Sequence, residues 1–120
     1  MNLTPVEIKA FIPAQDFALS KAFYEAVGFT VGYSDDDLAY MVCGNTSFLL
    51  QNGYVKELAE NLAMHLLVES VDDWHAHLSE QKLAERFGTQ LGALVDQPWA
   101  MRDFVFRDPS GVHWTIAQNT

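Results

Sequence analysis

Cationic side chains are scarce in this chain. Seven lysines and arginines stand against sixteen aspartates and glutamates, a net charge of −9. Phosphate contacts need clustered Lys and Arg, so the composition excludes nucleic acid as a partner. The same acidity keeps a protein soluble and favours cationic ligands. There is a single cysteine, Cys43, in a strand-like run. It cannot form an intramolecular disulfide, which fits a cytoplasmic location, and it reads as a small buried hydrophobe rather than a reactive thiol. No apolar run approaches the roughly 20 residues that span a bilayer, so a membrane partner is not expected. The opening MNLTPVEIK has no basic leader followed by an apolar stretch, hence no secretory signal. A glycine-rich phosphate loop is missing. Ser20, Ser47 and Ser110 fall in a cap region, a strand and a turn, with no partnered base to make any of them a nucleophile.

What is present is a duplication. Val6, Ile8, Ala10 and Ile12 alternate with Glu7, Lys9 and Phe11, the pattern of a half-buried strand that Pro13 should end. Asp16 is placed to cap a helix carrying Leu19, Phe23, Ala26 and Val27 on one face, and Gly28 to stop it. Strands follow near Val31–Tyr33, over Leu38–Cys43 and over Thr46–Gln51, with Asp35–Asp37 as an acidic turn and Gly44-Asn45 as a hairpin turn. Residues 53–61 form a polar connector with room for a short helix. The opening then recurs 56 positions on: Lys9 matches His65, Phe11 matches Leu67, Ile12 matches Val68 and Asp16 matches Asp72. Leu62–Glu69 alternates again, and Asp72 is expected to cap a helix burying Val71, Trp74 and Leu78. After a turn-rich stretch with Gly88, Gly92 and Pro98, strands are expected over Met101–Arg107 and Val112–Gln118, joined by the Asp108-Pro109-Ser110-Gly111 turn. The result is a single domain of 120 residues made of two modules, 1–53 and 62–120, with a cleft expected where the copies meet.

One face of each module's opening strand is wholly apolar and should lie under a helix. The other carries Glu7, Lys9, Phe11, His65, Leu67, Glu69, His113 and Thr115. A curved sheet with helices on its convex side would gather these in a groove with apolar walls and a few polar groups. Tyr40, Phe48 and Trp99 can join them, with core packing the alternative for each; Trp114 belongs to the apolar face. Arg102 and Asp103 sit on a strand whose parity the sequence leaves open. Aromatic rings with acidic neighbours suit a flat or cationic ligand. His75 and His77 diverge on a helix and cannot chelate together, so both read as surface or helix-packing residues. Lys9 reads as an ion-pair partner of Glu7, Glu69 or a bound anion, with a catalytic amine the minor alternative.

The segments PAQDFALSKAFYEAVGF, MHLLVESVDDW and PWAMRDFVFRDPSGVHWTIAQN, in that order, resemble the vicinal oxygen chelate superfamily of glyoxalases, bleomycin-resistance proteins and extradiol dioxygenases. The resemblance covers nearly the whole chain and is nearest to bleomycin-resistance proteins. It implies an α+β fold of two βαβββ modules whose mixed sheets curl around a cleft, and a homodimer whose partner subunit completes that cleft. It also implies a divalent metal in the enzymes of the family. The implied ligand positions fall here on Lys9, His65 and Thr115. Only His65 is a metal ligand by type, since an ammonium repels a cation and a threonine hydroxyl is a poor donor for transition metals. A rearranged set of Glu7, His65 and His113 is the alternative.

These readings converge on a metal-independent protein that sequesters a small molecule, with antibiotics among the candidates and no catalytic residues. The ligand-binding set is Glu7, Lys9, Phe11, Tyr40, Phe48, His65, Trp99, Arg102, Asp103 and His113. The alternative is a metal-dependent lyase, isomerase or dioxygenase.

Overall fold

The computed structural model describes residues 1–120. Two four-stranded mixed sheets and four helices make an α+β architecture. In the first half, β1 (Phe11–Ala14), α1 (Phe17–Val27), β2 (Thr30–Ser34), β3 (Leu38–Cys43) and β4 (Thr46–Asn52) form a sheet of order β1-β4-β3-β2. A short helix α2 (Lys56–Asn61) leads into the second half, β5 (Ala63–Leu67), α3 (Val71–Glu80), α4 (Leu83–Phe87), β6 (Val95–Gln97), β7 (Met101–Arg107) and β8 (His113–Asn119), with order β5-β8-β7-β6. Each opening strand lies parallel to the last strand of its own half, and the other pairs are antiparallel. The two halves are therefore βαβββ units, with α4 and β6 formed inside the stretch that the sequence marks only as rich in turns.

Local chemistry explains most element boundaries. The Asp16 carboxylate accepts the Leu19 amide at 3.1 Å and caps α1. Gly28 ends it at φ 136°, a conformation that side-chain-bearing residues avoid. The buried face of α1 is Ser20, Phe23, Tyr24 and Val27. Leu19, expected on that face, is exposed, because the stripe runs through i, i+3, i+4 and i+7 from Ser20. In the second half the cap is Ser70, whose hydroxyl accepts from the Asp73 amide. Asp72 is instead in the first turn of α3, where a carboxylate meets the positive end of the helix.

Two expectations for the first strand need correction. Pro13 lies inside β1 rather than beyond it. This is tolerated because β1 is an edge strand: Ala10 and Ala14 make ladder bonds, so the nitrogen between them faces away from the sheet. The strand also begins only at Phe11, and residues 1–10 are an irregular, exposed arm.

The helix-covered faces of both sheets share one core. Phe48, Leu50, Ile12 and Met41 come from the first sheet, and Leu66, Phe104, Phe106, Trp114 and Ile116 from the second. Tyr24 stands between them, with ring centroids 4.8 Å from Phe48 and 5.6 Å from Trp114. Its hydroxyl donates to the Asp108 carboxylate and accepts from Trp114 Nε1 at 3.0 Å. Asp108 Oδ1 in turn accepts the amides of Ser110 and Val112, so the Asp-Pro-Ser-Gly turn is stitched to α1 through one buried carboxyl. Ser110 Oγ accepts the Gln15 amide, a second tie between the halves.

Candidate functional site

Strand register fixes which side chains share a face, because residues directly opposite one another in a sheet point the same way. In the first sheet Phe11 pairs with Leu49, Leu49 with Tyr40, and Tyr40 with Tyr33. These four side chains form a stripe across all four strands on the face not covered by helices. Phe11 and Tyr33 are 56% and 57% exposed. The acidic turn borders the stripe: Tyr33 Oη donates to Asp35 Oδ2 at 2.8 Å, which raises the phenol pKa. The Asp35 carboxyl is held below its ordinary range, first by the Asp37 amide and then by that phenol.

The arm crosses the same face. Glu7 accepts from Tyr40 Oη at 3.0 Å, and Lys9 Nζ lies 3.5 Å from the Glu7 carboxylate and 5.1 Å above the centre of the Tyr40 ring. A cation already rests on an aromatic face bordered by carboxylates, the geometry that recognises cationic ligands.

In the second sheet the open face carries Ala63, His113 and Arg107 in one row, His65, Thr115 and Val105 in the next, and Leu67, Ala117, Asp103 and Val95 in a third. His113 Nε2 is 3.3 Å from Thr115 Oγ1 and borders a cavity of about 690 Å³ under the 87–92 segment. Asp103 has open-face parity but is buried and accepts from Gln97 Nε2 at 3.0 Å. Trp99 projects from the turn between β6 and β7, where Ala100 adopts φ 61°, and is 63% exposed.

Two proposed site residues lie elsewhere. Phe48 is 1% exposed and wedged among Tyr24, Phe29 and Trp114, so it packs the core and reaches no ligand face. Arg102 points to the helix-covered side. It donates to Asp96 at 2.7 Å and reaches Asp72 on α3 at 3.3 Å, and its strand partner Gln118 accepts the Val71 amide there. These contacts raise the guanidinium pKa, while Arg102 holds Asp96 below the usual carboxylate range. The parity that was open in the sequence is thus settled with Phe104 and Phe106 inward. His75 and His77 are helix-packing residues as expected, bonded to the Gly92 and Ala26 carbonyls.

The cleft expected between the two halves of one chain is not what the halves enclose. They meet through the aromatic core, so the open faces turn outward from it. The sequence reading missed Tyr33, Leu49 and Val105 as open-face residues. Tyr33 was hidden by a register shift in β2 between Val31 and Tyr33, while Leu49 and Val105 sit in apolar runs where alternation cannot show a face.

The donor set does not fit a resident metal. His65 shares its row with a threonine and a valine, and Lys9 stands at the equivalent position of the first module. Glu7 is engaged by Tyr40 and Lys9 on the first sheet, whereas His65 and His113 belong to the second, and no three His, Cys, Asp or Glu side chains are grouped to hold an ion. Transition-metal sites need about three such ligands converging on one point.

A family model described as the Glyoxalase/Bleomycin resistance protein/Dioxygenase superfamily matches residues 7–116. No curated protein sequence matches the chain. Among solved structures, a bleomycin-binding protein complexed with bleomycin is similar at TM-score 0.79 and 19% identity, covering 97% of this chain and 100% of the other. TnmS3, an antibiotic binding protein from Streptomyces sp. CB03234, is similar at TM-score 0.77 and 22% identity, covering 99% and 100%. Lactoylglutathione lyase from Agrobacterium tumefaciens gives TM-score 0.71 and 17% identity, covering 98% and 96%.

Proposed function

Starting from the chain's membership of the glyoxalase/bleomycin resistance protein/dioxygenase superfamily, we propose that it binds a small molecule and sequesters it without a resident metal. The observation that carries this reading is the Phe11–Leu49–Tyr40–Tyr33 stripe, bordered by carboxylates and already covering one cation. A ligand with a planar ring and a positive charge complements it through stacking, cation–π contact and the acidity of the whole surface. Similar folds that bind bleomycin or another antibiotic support the class of ligand.

The active species of this reading is a homodimer in the cytoplasm. Each chain exposes two half-walls, and a second copy set against them turns an open face into a cleft that excludes water from most of a drug-sized ligand. Trp99, exposed on its turn, supplies a further stacking surface at the rim. No step of bond breaking belongs to this mechanism: the guest is held, and its free concentration falls.

Titration with metal-free bleomycin, followed by tryptophan fluorescence, tests the reading. Saturable quenching with one guest per chain is expected, weakened by Tyr40→Ala. Turnover of a glutathione hemithioacetal that depends on added metal and is lost in His65→Ala would overturn it in favour of a lyase.

A further inference from the structure

The second half carries a stretch that its duplicate lacks. In the first half α1 ends at Val27 and β2 begins at Thr30, whereas residues 81–94, including α4, separate α3 from β6. The first half folds without such an insertion, so the βαβββ plan does not require it. The insertion roofs a cavity of about 690 Å³. Gly88, at φ 66°, turns the chain out of α4. Gly92 then lies close against β7: its amide donates to the Val105 carbonyl at 2.8 Å, and a Cβ there would meet that oxygen at 2.9 Å. The Gly92 carbonyl is bonded to His75 of α3, and the Thr89 hydroxyl donates to the Arg107 carbonyl. The roof is thus pinned to both a helix and a strand. Register sharpens the contrast between the halves. Leu49 corresponds to Ala117, so Gly44 and Asn45 of the tight hairpin stand where Arg107 and His113 pair across β7 and β8.

From this we infer that the roofed cavity is a further binding site, taking a small molecule with an apolar body and a carboxylate that rests on Arg107 and His113. Phe87, Leu91, Val105 and Phe106 supply the apolar wall. Arg107 supplies the charge. Its Nη1 donates to the Gly111 carbonyl at 2.7 Å, no carboxylate pairs with it, and Nε and Nη2 have no partner. A guanidinium fork matches a carboxylate through two parallel bonds. His113 stands opposite Arg107 in the register, with Nε2 3.3 Å from Thr115 Oγ1. When that hydroxyl donates to Nε2, the ring proton lies on Nδ1, which has no partner in the protein and is free to meet a guest. The one carboxylate lining the cavity, Asp108, is turned inward: its oxygens accept from Tyr24, Ser110 and Val112, so it does not compete for Arg107. In a chain of net charge −9 this is a local region of opposite sign. It lies on the second sheet and favours the opposite charge to the guest of the Phe11–Leu49–Tyr40–Tyr33 stripe, so it does not rest on that reading.

Calorimetry of the full-length chain with naphthylacetate and with its uncharged amide, naphthaleneacetamide, tests this. The acid is expected to bind, and the amide about 10- to 100-fold more weakly, the worth of a charge-assisted hydrogen bond. Arg107→Gln should bring the acid down to the affinity of the amide, and Arg107→Lys should keep part of the preference. In nitrogen–proton spectra the acid should shift the amides of residues 89–92 and of His113, and leave those of Tyr33 and Tyr40 in place. Equal binding of acid and amide by the wild type would overturn the charge recognition, whatever the variants do. No binding of either at millimolar concentration would overturn the site, and shifts confined to Tyr33 and Tyr40 would overturn its placement. Bleomycin quenching reads the stripe alone, so either reading can fail while the other stands.

Discussion

Asp108 is a carboxyl buried beside a phenol, and its pKa is raised because desolvation outweighs the hydrogen bonds it accepts from Tyr24, Val112, Ser110 and Gly111. The phenol of Tyr24 is raised too, first by burial and then by the charge of Asp108. A carboxyl whose folded pKa lies above its unfolded value binds more protons in the folded state. Its stabilising contribution is complete below the unfolded pKa and is lost as pH rises through the folded one. The unfolding free energy of the wild type should therefore grow, relative to that of Asp108→Asn, as pH falls from neutrality toward the carboxylate range; urea denaturation of both proteins at several pH values measures this. A difference that shrinks toward acid would place the dominant interaction with the charged form instead. Phe48 gives a plainer expectation. With its ring filling the space between Tyr24, Phe29 and Trp114, Phe48→Ala should cost about 3–5 kcal/mol in the same assay. Exposed Trp99 should behave in the opposite way. Trp99→Phe should leave stability within about 0.5 kcal/mol and loosen bleomycin by about 2- to 10-fold through weaker stacking.

At the scale of elements, Gly28 is the most constrained join. Its φ of 136° ends α1, and a methyl group there would also meet the Trp74 ring at 3.5 Å. The space is adequate but the backbone conformation is not, so Gly28→Ala should destabilise by about 1–3 kcal/mol, readable as a lowered Tm. This end of α1, the Gly44-Asn45 hairpin and the Asp-Pro-Ser-Gly turn were all legible in the sequence, because each is specified by residues adjacent in the chain. Less legible were features decided at a distance. Ser70 and Asp72 are both good caps, and only the path of the chain into α3 selects Ser70. The alternation of Val6, Ile8, Ala10 and Ile12 led to the expectation of a strand there, yet the strand begins only at Phe11. Alternation reports that a segment has two different faces; it does not report whether a sheet edge receives it.

For the whole molecule, the duplicated plan was readable from the 56-residue repeat, and the fold follows it. The location of the candidate surface was only half readable. Alternation separated the open face from the covered one and placed Phe11, His65 and His113 on it, but it could not say that the two covered faces would share a core and send the open faces outward. Phe48 was misplaced because one aromatic in an apolar strand fits either side, and Arg102 because its partners, Asp72 and Asp96, come from separate elements. No helix is long and apolar enough to cross a membrane. The 690 Å³ cavity beside His113 lies away from the aromatic stripe.

The central claim is that these open faces hold a guest and hold no ion. Elemental analysis of the protein, purified without chelators and dialysed against metal-free buffer, tests it most directly. The account predicts zinc, manganese, nickel and iron each far below one equivalent per chain. One tightly held equivalent per chain that disappears in His65→Ala would contradict it.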